Sequence, residues 1–239
     1  MRIPVMRGLI DRRILVNFRV DPEVLSRLLP PPFRPQLVQG KGMAGICLIR
    51  LRQLRPRWLP AFAGITSENA AHRIAVEWDD HGTTHSGVYI PRRDSSSLLN
   101  CLAGGRVFPG VHHHSHFEVR EADGEYAVEV TNVDGTHIAV AGRLAAGLPG
   151  GSVFDSVAAA SNFFSKGAIG YSATGRLGEY DGLELRSFGW HVEPLEVDCA
   201  ESSFFSNSSI FPAGSAEFDC ALLMRQIAHE WHGLDTLTC

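Results

Sequence analysis

Apolar and β-branched residues recur along this chain at strand spacing more often than at helical spacing. RRILVNFRV (12–20) reads as a strand, and DPEVLSRLL follows it with Asp21 at an N-cap and Pro22 at the first helical position. PPPFRP stops that short helix, and AGICLIRLRQL (44–54) alternates as a half-exposed strand. HRIAVEW (72–78) and HSGVYI (85–90) flank DDHGTT, a hairpin turn, and SSSLLNCLAGG reads as a short helix capped by serine and closed by glycine. HFEVREADGEYAVEVTNV predicts two strands joined at Asp123-Gly124, and HIAVAGRLA adds another. A helix is expected from Gly151-Ser152 through SVFDSVAAASNFF, ending at Gly167, and LELRSFGWHVEPLEVDCAESSFF is strand-like. SAEFDCALLMRQIAHEWHGL carries apolar residues at helical spacing, which predicts a closing amphipathic helix. No repeat, low-complexity tract or linker interrupts the chain. The expected fold is a single α+β domain over residues 1–239, a largely antiparallel, barrel-like sheet with flanking helices.

Composition narrows the function classes. With 239 residues, 44% of them hydrophobic, the chain can bury a sizeable core. Net charge is −4 and the sequence pI about 6.2, with arginines scattered rather than gathered into a basic block, so nucleic acid is not an expected partner. No apolar run approaches the roughly 18 residues of a membrane span, and MRIPVMRGLIDRR lacks a signal-peptide core; no membrane partner is expected and the expected compartment is the cytoplasm. The 5 cysteines are widely spaced without a CxxC pair, which suggests buried thiols. Lys41 and Lys166 are the only lysines, which restricts any amine chemistry. No motif calls for a cofactor, and homo-oligomerisation is left open.

The most unusual stretch is GRVFPGVHHHSHFEV (105–119). Residues 112–120 are expected to form one strand. On a strand, His112, His114 and His116 share a face and could converge on a metal, whereas His113 points the other way. No acidic or cysteine partner stands at a diagnostic spacing, so a metal-dependent enzyme built on His112, His114 and His116 is the alternative reading and no metal is assigned. HEWH (229–232) has i, i+3 spacing where a zincin helix needs HExxH, and reads as a surface helix end. No GxSxG elbow surrounds the serines, and LGEYDGLELR lacks the alternating acids of a calcium loop.

NFRVDPEVLSRLLPPPFRP, TSENAAHRIAVEW, GRVFPGVHHHSHFEV and YDGLELRSFGWHVEPLEV together resemble the YqjF-like family of uncharacterised bacterial proteins, itself similar to the acetoacetate decarboxylase-like superfamily. The resemblance implies an internal pocket for a small anionic or carbonyl-bearing metabolite. It implies a pocket role for Arg19, in FRVDPEVLSRLLPPPF, as the ligand-binding cation, and for Glu68, in ITSENAAH, as the residue that orients Arg19 or moves a proton; a second pocket acid would fall near Cys47, where there is none. The superfamily's Schiff-base lysine pair falls on His113 and His114, which become the expected general acid or base groups. An imine-forming decarboxylation needs a primary amine that imidazole does not supply, so that reaction is not expected. Enzymatic turnover is left open, and a non-catalytic regulatory binding module is the other alternative.

Overall fold

The computed structural model describes residues 4–105 and 108–238. In chain order the elements are β1 (Met6–Val20), α1 (Pro22–Leu28), β2 (Arg34–Pro35), β3 (Leu37–Val38), β4 (Lys41–Pro56), a 3-10 turn (Ala61–Ala63), β5 (Ile65–Asp80), β6 (Thr83–Ser95), α2 (Leu98–Ala103), β7 (His112–His114), β8 (His116–Ala122), β9 (Glu125–Thr131) and β10 (His137–Leu144). Then follow α3 (Val157–Ser165), β11 (Ile169–Ala173), β12 (Glu179–Phe188), β13 (Glu193–Ser202), β14 (Ala216–Gly233) and β15 (Leu237–Thr238).

The long strands pair mostly antiparallel, in the order β12-β11-β6-β5-β4-β1-β14. Because β12 pairs with β11 and also with β14, the path returns on itself and forms a barrel-like ring. The sheet then continues from β14 through β13, β10 and β9 to β8, which folds back over one outer side of the ring. Two local signals set the hairpins. His81-Gly82 and Asp123-Gly124 both have positive φ at each residue, the geometry of a tight turn whose twist matches its strands. At α1 the Asp21 side chain accepts from the Glu23 amide and Pro22 opens the helix, as the sequence implied.

Strand alternation divides the core in two. On β1, Ile14, Val16, Phe18 and Val20 face a cluster that includes Val128, Val130, Ile138 and Val140 of the folded-back strands. Leu15 faces the other way, into a cluster with Cys47, Ile49, Phe164 and Leu185 inside the ring. A strand buried on both faces carries a nearly continuous apolar run, and β14 shows what this does to pattern reading. Its Ala221 and Leu223 serve one cluster while Leu222, Met224 and Ile227 serve the other. The run AEFDCALLMRQIAHEWHG therefore forms an 18-residue strand and not the amphipathic helix that its spacing suggests. HEWH correspondingly lies on a strand: His229 is buried, while His232 bonds Glu230 at 3.0 Å. α3 begins at Val157, capped by Ser156, six residues later than the Gly151-Ser152 signal indicates.

Candidate functional site

A cavity of about 130 Å³ lies inside the ring, and every ring strand contributes to its wall: Leu15 from β1, Cys47 from β4, Arg73 from β5, Arg93 from β6, Gly170 from β11, Leu185 from β12 and Trp231 from β14. The wall is largely apolar, yet Arg13, Arg73 and Arg93 all reach it. Arg13 donates from Nε to the Cys47 sulfur at 3.3 Å. Arg73 donates to the Asn17 amide oxygen, its guanidinium carbon sits 5.0 Å from the centre of the Phe164 ring, and its Nε has no partner among the described residues. Arg93 donates from Nε to the Ser172 hydroxyl at 3.4 Å, and Ser172 donates in turn to the Ile90 carbonyl at 3.0 Å. Among the described residues the partners of these three guanidiniums are thus a thiol, an amide and a hydroxyl, with no carboxylate among them. Burial pushes both Arg73 and Arg93 down to about 10, so each remains a cation at neutral pH.

The acid on the cavity wall, Asp94, is already matched. Its carboxylate accepts from Arg92 Nε at 2.9 Å and from the Ser115 hydroxyl at 2.8 Å, and Arg92 also donates to Asp134 at 2.8 Å. The tandem Arg92-Arg93 therefore sends one arginine to an ion cluster and its neighbour to the cavity. Arg12-Arg13 repeats the device: Arg12 is 2% exposed and bonds Glu68 at 2.6 Å and Glu121 at 2.8 Å, while Arg13 faces inward.

His112 is the imidazole of the histidine run that lines the cavity. Its Nδ1 stands 3.2 Å from the Gly110 carbonyl oxygen, which can only accept, so Nδ1 carries the proton and Nε2 keeps its lone pair. A Cβ at Gly104 would meet that Nδ1 at 2.5 Å, so the ring is seated against a position that needs glycine. Burial, then the Arg93 charge, pushes His112 down to about 4. The group is therefore a neutral hydrogen-bond acceptor at physiological pH.

The other expected site residues lie elsewhere. Residues 112–120 do not make one strand: β7 pairs in parallel with β6, whereas β8 pairs antiparallel with β9. The break falls at Ser115, whose amide donates to the Ser95 carbonyl and whose hydroxyl binds Asp94. His113 stands opposite Asp94 in the β6–β7 register and off the cavity wall; His114 is exposed, and exposed His116 lies 3.5 Å from Glu118. His112, His114 and His116 thus do not share one strand face, and among the described residues no group of three or more histidine, cysteine, aspartate or glutamate side chains converges on a metal position. Arg19 and Glu68, expected to share a space, are not brought together. Arg19 bonds Glu217 at 2.8 Å and the Gly151 carbonyl, whereas Glu68 lies on the face of β5 opposite Asn69, held by Arg12 and Arg50. Each has charged partners that account for its position. Lys41 and Lys166 are exposed and neither lines the cavity.

Pattern reading missed Arg13, Arg73 and Arg93 as wall residues, whereas the resemblance set a pocket position near Cys47. For Arg13 and Arg93 the available signal was the Arg12-Arg13 and Arg92-Arg93 pairs within strand-like runs, since alternation must turn one of each pair inward; Arg73 stands alone and gave no such signal.

This fold, a barrel-like ring of strands, is that of the acetoacetate decarboxylase-like proteins. The chain is similar over 100% of its length to an acetoacetate decarboxylase-like enzyme from Sphingomonas wittichii RW1, of which it covers 94%, with a TM-score of 0.64 at 11% identity. Acetoacetate decarboxylase from Legionella pneumophila aligns over 98% of this chain and 88% of its own, with a TM-score of 0.63 and 9% identity. The enduracididine biosynthesis enzyme MppR, complexed with pyruvate, aligns over 100% and 91%, with a TM-score of 0.64 and 10% identity. At these identities the likeness is one of fold. By sequence, residues 10–205 match DUF2071, an uncharacterized conserved protein family, and the chain belongs to it. This agrees with the resemblance drawn from its motifs. No curated protein matches the sequence. No helix among the described residues is long and apolar enough to cross a membrane.

Proposed function

We propose that this protein binds a small carboxylate-bearing metabolite, with a carbonyl group nearby, inside the β ring. The observation that carries the reading is the set of Arg13, Arg73 and Arg93 on one cavity wall, without a carboxylate partner among the described residues. Charges held away from water without a counter-charge cost several kcal/mol each, so an unmatched cationic cavity favours an anion that matches it. Guanidinium groups suit a carboxylate through paired N–H donors. His112 Nε2 can accept from a hydroxyl or enol on the same ligand. Arg19 and Glu68 serve the frame on this reading, through their ion pairs, and His113 and His114 do not line the cavity. With no amine on the wall, an imine with the ligand has no donor. The neighbour bound to pyruvate supplies a suitably small probe.

Calorimetric titration with pyruvate and with its neutral amide tests this. Saturable binding of pyruvate, with the amide at least roughly tenfold weaker, is the expected result. Equal affinity for the two, or no binding of either pyruvate or other small carboxylates, contradicts it.

A further inference from the structure

We propose that Cys47 is a nucleophile that adds reversibly to the carbonyl carbon of a small 2-oxo carboxylate held in the ring cavity. The inference rests on the anion-binding reading above and adds a covalent step to it.

Three observations support it. Cys47 lines the cavity together with Arg13, Arg73 and Arg93, and the Arg13 Nε–H points at its sulfur from 3.3 Å. Arg73, 7% exposed and with an unpartnered Nε, reaches the same wall. Of the other cysteines among the described residues, Cys101 and Cys199 have acidic neighbours, and Cys220 has Asp219 as well as Arg73. Burial and then Asp219 raise Cys220; burial and then Asp94 raise Cys101; burial and then Glu201 raise Cys199. Cys47 is the cysteine on which arginines converge, and electropositive surroundings favour a reactive sulfur.

The step balances without a further reactant. The sulfur electron pair forms a C–S bond at C2 of the 2-oxo acid, the carbonyl π pair moves to oxygen, and that oxygen takes the proton lost by the thiol. The product is a thiohemiketal, with no leaving group and no change in oxidation state. The carboxylate stays against the guanidiniums, which also face the developing oxyanion.

Two measurements on the full chain test the proposal. The first alkylates the protein with iodoacetate or iodoacetamide and follows Cys47 by peptide mass spectrometry; in either case an S–CH2 bond forms and iodide leaves. A free thiol has no preference for the anionic reagent, whereas Cys47 is expected to react roughly tenfold faster with iodoacetate than with iodoacetamide, and more slowly once pyruvate is present. The second follows carbon-13 NMR of pyruvate labelled at C2. A bound tetrahedral-carbon signal, distinct from free hydrate, is expected with the unaltered protein and lost in Cys47→Ser, which still binds pyruvate in calorimetry. If pyruvate binds both proteins and no tetrahedral carbon forms, the nucleophile assignment fails and the anion-binding reading stands. If pyruvate fails to bind the unaltered protein, both fail. Preferential labelling by iodoacetamide also overturns the assignment.

Discussion

Arg93→Met is expected to weaken pyruvate binding by roughly 30-fold to several thousand-fold while leaving the ligand-free protein as stable as before, or more so. Removing one partner of a desolvated charge pair costs roughly 2–5 kcal/mol of binding. The free protein behaves differently. Among the described residues its Arg93 has a single long hydrogen bond, to Ser172, and it shares the cavity wall with Arg13 and Arg73, so losing it relieves desolvation and mutual repulsion. Arg12→Met supplies the contrast one residue from the wall. Arg12 bonds Glu68 and Glu121 at 2.6 and 2.8 Å, and its loss leaves Arg50 as the cation shared by both carboxylates, at a cost of roughly 3 kcal/mol in stability. Denaturant unfolding alongside calorimetry reads both quantities. The affinity should also stay nearly constant from pH 6 to 8, because the charge that holds the anion is on arginines and not on His112, which lies near 4. A variant at Arg93 that unfolds readily yet binds normally would place this arginine in the frame.

Acid is expected to destabilise the protein steeply between about pH 6.5 and pH 4. Burial pushes His72, His112 and His229 each down to about 4, from an ordinary value near 6.5. His72 is held by the Ser202 hydroxyl at 2.9 Å and packs on Phe204, and His229 has no hydrogen-bond partner at either ring nitrogen among the described residues. In the unfolded chain each imidazole takes a proton as pH falls through 6.5; in the folded protein each resists until about 4. The stabilisation from keeping them neutral is therefore complete above pH 6.5 and is lost as pH falls towards 4. Each group accounts for roughly 3 kcal/mol at pH 4, so the three together rival the 5–15 kcal/mol stability of an ordinary domain. Urea midpoints across this range should drop sharply. His72→Gln should flatten the profile by about one proton, and a midpoint independent of pH from 7 to 4 would show that the imidazoles are solvated.

Much of the fold was legible because local chemistry and global pairing agree. Asp21-Pro22 opens α1, the serine run caps α2 at Ser97, and Asp123-Gly124 makes the β8–β9 turn. β14 was not legible, because alternation disappears when Leu222 and Leu223 are buried on opposite faces of one strand. The histidine run was read as continuous because nothing local announces that Ser115 leaves one partner strand for the next. The site was legible only in kind. A barrel pocket and a cationic residue were expected, but Arg19 and Glu68 were carried by resemblance and have other partners. A strand pattern reveals that Arg12 and Arg13 face oppositely without revealing which face is inside. That depends on closure of the ring by the β12–β14 pairing, from Leu183 with Gly233 to Phe188 with Ala228, a contact between residues far apart in the chain.

The central claim is that the arginine-lined cavity holds a carboxylate. A crystal structure of the protein soaked with pyruvate tests it most directly. The account predicts density for one carboxylate within hydrogen-bond distance of at least two of Arg13, Arg73 and Arg93, with the Arg12–Glu68 and Arg19–Glu217 pairs intact. Pyruvate lodged instead against Arg19 or Glu68, or a cavity filled only by water at saturating pyruvate, would contradict it.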